Sequence, residues 1–167
     1  MPLVSAYDND PTVDGRQSEI ALEIRRGVQR GMKHHDLVFM PELTLPSGRR
    51  ADLIGLDPKG AIVIIEIKSS IEDFKADHKW HEYKELCDRF YFASHPDVPM
   101  EIFPEEEGFI LADNYGCEIV RDANEEKLSA ATRKSLTIRF ARTAAQRMNT
   151  FADYQGIEMG DLGSVAG

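Results

Sequence analysis

The chain has 167 residues, 42% of them apolar, and carries a formal net charge of −9. That length suits one domain with a real core, and the acid excess excludes a generic polyanion binder drawn to nucleic acid by net charge. Cys87 and Cys117 lack metal-ligand spacing, Met1-Pro2-Leu3-Val4 does not open a signal peptide, and no apolar run reaches transmembrane length, so a reduced, cytoplasmic protein without a membrane partner is expected.

The charge is uneven: residues 121–150 hold seven Lys/Arg against three Asp/Glu, whereas residues 101–107 hold four Glu and no base. Residues 1–12 and 156–167 are polar or Gly/Asp-rich and are expected to fray. A single domain over 13–155 remains. Residues 16–32 read as an amphipathic helix, capped by Asp14 with Gln17 three positions on. Ile20, Ile24, Val28 and Met32 form its apolar stripe. Glu19, Glu23, Arg26 and Arg30 form a neighbouring stripe. That stripe is either a solvated face with helix ion pairs or one from which Glu19 or Glu23 reaches a carboxylate cluster further on. His34 and His35 read as loop surface.

Asp36–Leu45 reads as a strand, and Pro41 within it points to an edge or a bulge. Glu42 is then either an edge charge or a third carboxylate near Asp52. After the turn Pro46-Ser47-Gly48 comes a hairpin, residues 49–68. Its turn is Asp57-Pro58-Lys59-Gly60: Pro58 presets φ, and Gly60 can take the left-handed conformation of a three-residue loop with a bulge. With that loop Asp57 faces Ala61, Ile54 faces Ile64, Asp52 faces Glu66 and Arg50 faces Lys68, with facing Cβ atoms about 5 Å apart. A four-residue loop would set Asp52 opposite Ile65 and disperse the cluster. Opposed carboxylates repel, and Glu66 sits in the otherwise apolar run Ile62–Ile67, where an unpaired charge is costly. A divalent cation between Asp52 and Glu66 would remove the repulsion. The alternative is a structural ion pair of Glu66 with Lys68.

Ser69 or Ser70 can cap a following helix, with Glu72 and Asp73 three residues on. It is expected to run to about Cys87 and to bury Ala76, Trp80, Tyr83 and Cys87. Lys75 and Lys79, neighbours at i, i+4, are either solvated or phosphate contacts. His78 and His81 have no evident third ligand and are set aside as a metal pair. Arg89–Ala93, Gly108–Ala112 and Cys117–Val120 read as strands, the last two as a hairpin at the far side of the sheet. From about Glu125 to Tyr154 the pattern is helical, with Leu136, Phe140, Ala144, Met148 and Phe151 as the apolar stripe. Ser135 or Thr137 marks a candidate break. Arg133, Lys134, Arg139, Arg142 and Arg147 face either solvent or a phosphate backbone. The expectation is α/β: a central mixed β-sheet flanked by helices in the order α-β-β-β-α-β-β-β-α.

This order, with Asp52 on the second strand and Glu66-Ile67-Lys68 on the third, resembles the PD-(D/E)XK nuclease-like superfamily and its restriction-endonuclease-like core. The proline usual before the aspartate is Ala51 here. A closer resemblance, over roughly residues 16–154, is to the bacterial MmcB-like DNA repair family. It rests on Arg-Arg-Ala-Asp-Leu at 49–53, Glu-Ile-Lys-Ser-Ser at 66–70, Asp-x-Lys-Trp at 77–80, Cys-Asp-Arg-Phe-Tyr-Phe-Ala at 87–93 and Arg-Lys-Ser-Leu-Thr-Ile-Arg-Phe-Ala-Arg at 133–142.

These resemblances imply a DNA repair protein with Mg²⁺- or Mn²⁺-dependent phosphodiester hydrolysis, or else a non-catalytic DNA-binding accessory on the same fold. Asp52, Glu66 and Lys68 would be catalytic. Asp52, Glu66 and the Ile67 carbonyl would be metal ligands, with Glu42, Glu23 or Glu19 as outer ones. Lys75, Lys79, Arg133, Lys134 and Arg142 would contact DNA locally. Other repair proteins are further candidate partners, and a third reading is an interaction module with Glu101–Glu107 as its partner patch and no DNA affinity even at low salt. No oligomeric state follows from these residues.

Overall fold

In the computed structural model, which describes residues 18–158, the hairpin at 49–68 lies within a six-stranded sheet of strand order β1-β2-β3-β4-β5-β6. Three antiparallel strands come first: β1 (Val38–Thr44), β2 (Arg50–Leu56) and β3 (Ile62–Lys68). β4 (Arg89–Ser94) and β5 (Gly108–Ala112) follow, each parallel to its predecessor in the sheet, and β6 (Cys117–Arg121) closes the far edge antiparallel to β5. The class is α/β with a mixed sheet. β1 is an edge strand, which suits Pro41 because proline cannot donate to a ladder.

The expected hairpin turn forms. Asp57 N–H donates to the Ala61 carbonyl at 3.1 Å, Gly60 N–H donates to the Asp57 carbonyl at 3.1 Å, and Gly60 sits at φ 88. Asp57 Oδ1 accepts the N–H groups of Lys59 and Ala61, each at 2.8 Å, which locks the loop and sets the register Ile54↔Ile64. β3 is buried along its whole length, Glu66 and Lys68 included. Its alternation divides two cores. Val63, Ile65 and Ile67 join Ile24, Val28 and Met32 of α1 (Glu19–Gly31) on one side. Glu66 and Lys68 point to the other side. There Phe90 and Phe92 pack with Phe74, Trp80 and Phe103, ring centroids 4.9–5.8 Å apart.

Several helical expectations change. α1 begins at Glu19, where Ser18 caps it by accepting the Ala21 N–H at 3.2 Å; Asp14 and Gln17 lie outside the described residues. Ile20, expected in the apolar stripe, is exposed because the first turn of α1 lies beyond the sheet contacts of Ile24 and Val28. The strand expected from Asp36 starts at Val38, since Asp36 ends a 3-10 turn in the left-handed region at φ 54. The single helix expected to Cys87 is two short ones, α2 (Ile71–Ala76) and α3 (His81–Lys84). Asp77 between them is extended, and its Oδ1 accepts the Lys79 N–H at 2.9 Å, an Asx turn that interrupts the helix. Trp80, Tyr83 and Cys87 are buried as expected, but Ala76 is exposed at the end of α2.

The chain forms two compact units, divided after Leu128. The second contains α4 (Ala130–Gln155), which starts at Ala130 rather than near Glu125 and runs unbroken through Ser135 and Thr137. Ser129 supplies the cap, accepting the Thr132 N–H at 3.2 Å. No described helix is long and apolar enough to cross a membrane.

The turn between β5 and β6 sits directly on α1. A Cβ at Gly27 would lie 1.9 Å from the Asp113 carbonyl oxygen and 2.6 Å from that of Gly116, both backbone atoms. Arg30 Nη1 donates to the Asn114 carbonyl at 2.8 Å beside this contact. Gly27→Ala gains up to about 1 kcal/mol of helix propensity but must push the turn off the helix, at a cost of about 1–3 kcal/mol. The substitution is therefore expected to lower the urea unfolding midpoint; an unchanged or raised midpoint would contradict the close packing.

Candidate functional site

The β2–β3 ladder stops short of the charged end of the hairpin. Its last bridge is Leu53↔Ile65. One step further, where Asp52 and Glu66 stand opposite, side chains replace the backbone partners. Asp52 N–H donates to Glu66 Oε1 at 3.1 Å, and Ile67 N–H donates to Asp52 Oδ2 at 2.8 Å. The two strands are held apart and stitched by the two carboxylates. The N–H and C=O of one strand residue point the same way, so the Ile67 carbonyl also faces this opening. The expected opposition of Asp52 and Glu66 is thus realised through carboxylate-to-backbone bonds, and the ladder does not extend to Arg50 and Lys68.

A third acid joins them. Pro41↔Leu53 and Leu43↔Ala51 put Glu42 opposite Asp52 on the other side of β2. Glu42 is 3% exposed and is held at φ 54, in the left-handed region. For a residue other than glycine this costs on the order of 1–3 kcal/mol and is found where the surroundings impose it. Glu42, Asp52 and Glu66 therefore form a row across three strands. Glu19 and Glu23 do not join it. They ride on α1, whose core contacts are on the opposite face of the sheet, and Glu19 is exposed.

The electrostatics follow from enclosure. Burial pushes the Asp52 carboxyl up to about 6, against the opposing pull of the Ile67 N–H and Lys68, with Glu42 and Asp73 adding repulsion. Burial, then repulsion from Asp52, holds Glu66 well above the usual carboxylate range. Lys68 is 5% exposed, and its Nζ is 2.6 Å from Asp77 Oδ2. Burial pulls that ammonium down, but Asp77, Glu66 and Asp52 more than reverse it, so its pKa rises. Burial works against the Asp77 anion as well, yet the bonds from Lys68 and Lys79 keep its pKa below the ordinary value. The structural ion pair foreseen for Lys68 is made with Asp77 instead of Glu66.

Two further contacts flank the opening. Arg49 Nε donates to Glu82 Oε2 at 2.7 Å, and the Tyr83 hydroxyl donates to the Arg50 carbonyl at 3.0 Å. Burial raises the Tyr83 pKa, and Glu66 and Asp52 raise it further. Ser70 caps α2 by accepting the Asp73 N–H at 3.0 Å, and Asp73 Oδ2 accepts the Ser69 N–H at 3.0 Å, a reciprocal pair that fixes how α2 leaves β3.

Lys75 and Lys79 are both exposed, one at the end of α2 and the other in the Asp77 turn, so they are not neighbours on one helix. Arg133, Lys134 and Arg142 lie on α4 in the second unit, with Lys134 and Arg142 exposed. The sequence pattern does not mark Asp77 and Tyr83 as site residues. The signal for Asp77 was Asp-His-Lys, an Asx-turn sequence, hidden by apolar spacing that continues across it. Among the described residues, no group of three or more His, Cys, Asp or Glu side chains is arranged to hold a metal ion.

A family model described as DNA repair protein MmcB-like matches residues 8–155. The chain belongs to the MmcB-like DNA repair protein family. Membership points to a role in DNA repair and, with it, to interaction with DNA. The fold is also that of a solved structure, the SPO1766 protein of unknown function from Silicibacter pomeroyi, with a TM-score of 0.79 and 42% identity over 86% of this chain and 99% of that one. No curated protein matches.

The raised carboxyls carry a pH signature. With Asp52 near 6 in the folded state and about 3.9 unfolded, the native state binds more protons between these values, so stability falls as pH rises. In metal-free protein the unfolding free energy is expected to drop by about 1–3 kcal/mol from pH ~4 to ~6.5 through these groups. Denaturant titrations should show a shallower fall for Asp52→Asn; an identical pH profile would contradict the shift.

Proposed function

We propose that this protein acts in DNA repair as a Mg²⁺- or Mn²⁺-dependent nuclease on a PD-(D/E)XK-like core, hydrolysing phosphodiester bonds of a DNA structure at the opening between β2 and β3. The observation that carries this reading is the pair of carboxylates, Asp52 half-buried and Glu66 buried, inserted between parted strands beside a buried, charged lysine. Each carboxylate spends one oxygen on a backbone N–H, and both are destabilised as anions by burial. A divalent cation offsets that destabilisation. Mg²⁺ is commonly bound through one or two protein carboxylates, its remaining positions filled by water and substrate phosphate. The donor set here, Asp52, Glu66 and the Ile67 carbonyl, with Glu42 behind, fits that need without a closed cage.

When bound, the cation supplies a Lewis acid for the scissile phosphate and the attacking water. Asp52 and Glu66 would hold it. Lys68, kept protonated by its carboxylate neighbours, donates to the attacking water or to charge developing on the phosphate. Exposed Lys75 and Lys79, on the segment that leads away from Lys68, contact backbone phosphates. On the second unit, α4 bears five Lys/Arg against one Asp, and Arg133, Lys134 and Arg142 offer phosphate contacts in an otherwise acidic protein.

A second reading has its own support. The Lys68 ammonium is already committed to Asp77, and no ready group of three ligands exists among the described residues. On that reading the protein binds DNA and recruits other repair proteins without turnover. Labelled single-stranded, duplex, flapped and branched DNA incubated with Mg²⁺ or Mn²⁺ separates the two. The nuclease reading expects cleavage by the parent, lowered at least about 100-fold in Lys68→Ala and Asp52→Ala, with both variants folded. Binding without cleavage under either metal assigns the accessory role, and no DNA affinity even at low salt contradicts both.

A further inference from the structure

The break between α2 and α3 delivers a carboxylate to Lys68. The apolar spacing of Trp80, Tyr83 and Cys87 would continue α2 without interruption, and yet the chain leaves the helix at Asp77, which is extended at φ −90, ψ 103. Leaving the helix forfeits backbone hydrogen bonds, and the Asp77 side chain replaces them. Oδ1 takes the Lys79 N–H at 2.9 Å, and Oδ2 takes Lys68 Nζ at 2.6 Å. The carboxylate is thus fixed at both oxygens. Its lysine side chain is 7% exposed, and Asp77 supplies the ammonium's one hydrogen bond among the described residues. The neighbouring links, Arg49 to Glu82 and Tyr83 to the Arg50 carbonyl, tie the same α2–α3 segment to the other strand of the hairpin. The segment therefore spans the open end of the hairpin, gripping residues of both β2 and β3.

We propose that Asp77 is a positioning residue for Lys68: it anchors the ammonium beside Asp52 and Glu66 with two of its three N–H donors left for water or phosphate. The claim rests on the nuclease reading for its catalytic consequence, but not for the anchoring itself. Lys68 has four rotatable methylene links, and without an anchor it would sample many positions. Misplacement of a reacting group by about 1 Å can cost on the order of 100-fold in rate.

Two substitutions separate anchoring from turn formation. Asp77→Ser retains an oxygen that can cap Lys79 N–H but is too short to reach Lys68. Asp77→Asn keeps the length and the cap and loses the charge. With Mn²⁺ and a cleavable DNA, Asp77→Ser is expected to lower kcat about 10- to 100-fold, with KM and Mn²⁺ affinity within a few fold of parent. Asp77→Asn should fall between Ser and parent. The second measurement is the rate at which an acetylating reagent modifies Lys68, read by peptide mass spectrometry on folded protein. Lys68 should be protected in the parent and modified at least several-fold faster in Asp77→Ser.

A parent that cleaves while Asp77→Ser keeps full kcat overturns the proposal and leaves the nuclease reading standing. A parent that never cleaves contradicts the nuclease reading, and the Lys68 labelling then decides the anchoring: equal rates in parent and variant overturn it.

Discussion

Everything in the candidate site depends on the point where β2 and β3 stop pairing. Beyond Leu53↔Ile65 the strands are joined by Asp52 and Glu66, each carboxylate accepting an N–H from the facing strand. A ladder of ordinary backbone bonds would have closed the sheet and turned both acids outward in a flat surface. Here the acids occupy the gap itself. Charge-assisted bonds to N–H groups favour the ionised form, but burial and repulsion from neighbouring acids oppose it more strongly. The gap is therefore polar, and Lys68 is a cation that pulls both acids toward the ionised form.

The surrounding fold holds this arrangement. β3 is buried throughout, Glu66 and Lys68 included. On one face α1 packs its apolar stripe against Val63, Ile65 and Ile67, and on the other the Phe and Trp cluster covers β4 up to the level of Glu66. The capping pair of Ser70 and Asp73 sets the exit from β3, and Asp77 returns to close on Lys68. The strained backbone of Glu42 completes the row of acids from the edge strand. The acids, the Lys68–Asp77 pair and the strained backbone of Glu42 are not required for a stable sheet, and each brings charge or strain to the open end of the hairpin. That concentration is the physical ground for reading the end as functional.

Much of this was legible in the sequence because local rules fix it. The turn Asp57-Pro58-Lys59-Gly60 dictates a three-residue loop with a left-handed glycine, and loop length dictates which residues face each other; Ile54↔Ile64 follows. The run Ile62–Ile67 reads as an otherwise apolar strand, and it is buried along its length. Pro41 reads as an edge or a bulge, and β1 is the edge strand. What was not legible arises from competition between non-local partners. Whether facing residues bond through backbone or through side chains is not written in their spacing, so the parting of the strands at Asp52 was invisible. Asp77 was masked because the apolar period continues across the break, while the residue that rewards the break, Lys68, lies nine positions away on another element. Glu19 and Glu23 carried the right chemistry on a helix that packs against the opposite face of the sheet, a fact decided by how α1 docks.

The central claim is that Asp52 and Glu66 together form a divalent cation site. Mn²⁺ binding, followed by electron paramagnetic resonance with and without a non-hydrolysable DNA, tests it most directly on the intact chain. The account predicts saturable binding in the parent and at least about tenfold weaker binding in Asp52→Asn, which removes one charged ligand but keeps an acceptor for the Ile67 N–H. Equal Mn²⁺ affinity in the two proteins, or no binding by the parent in either condition, would contradict it.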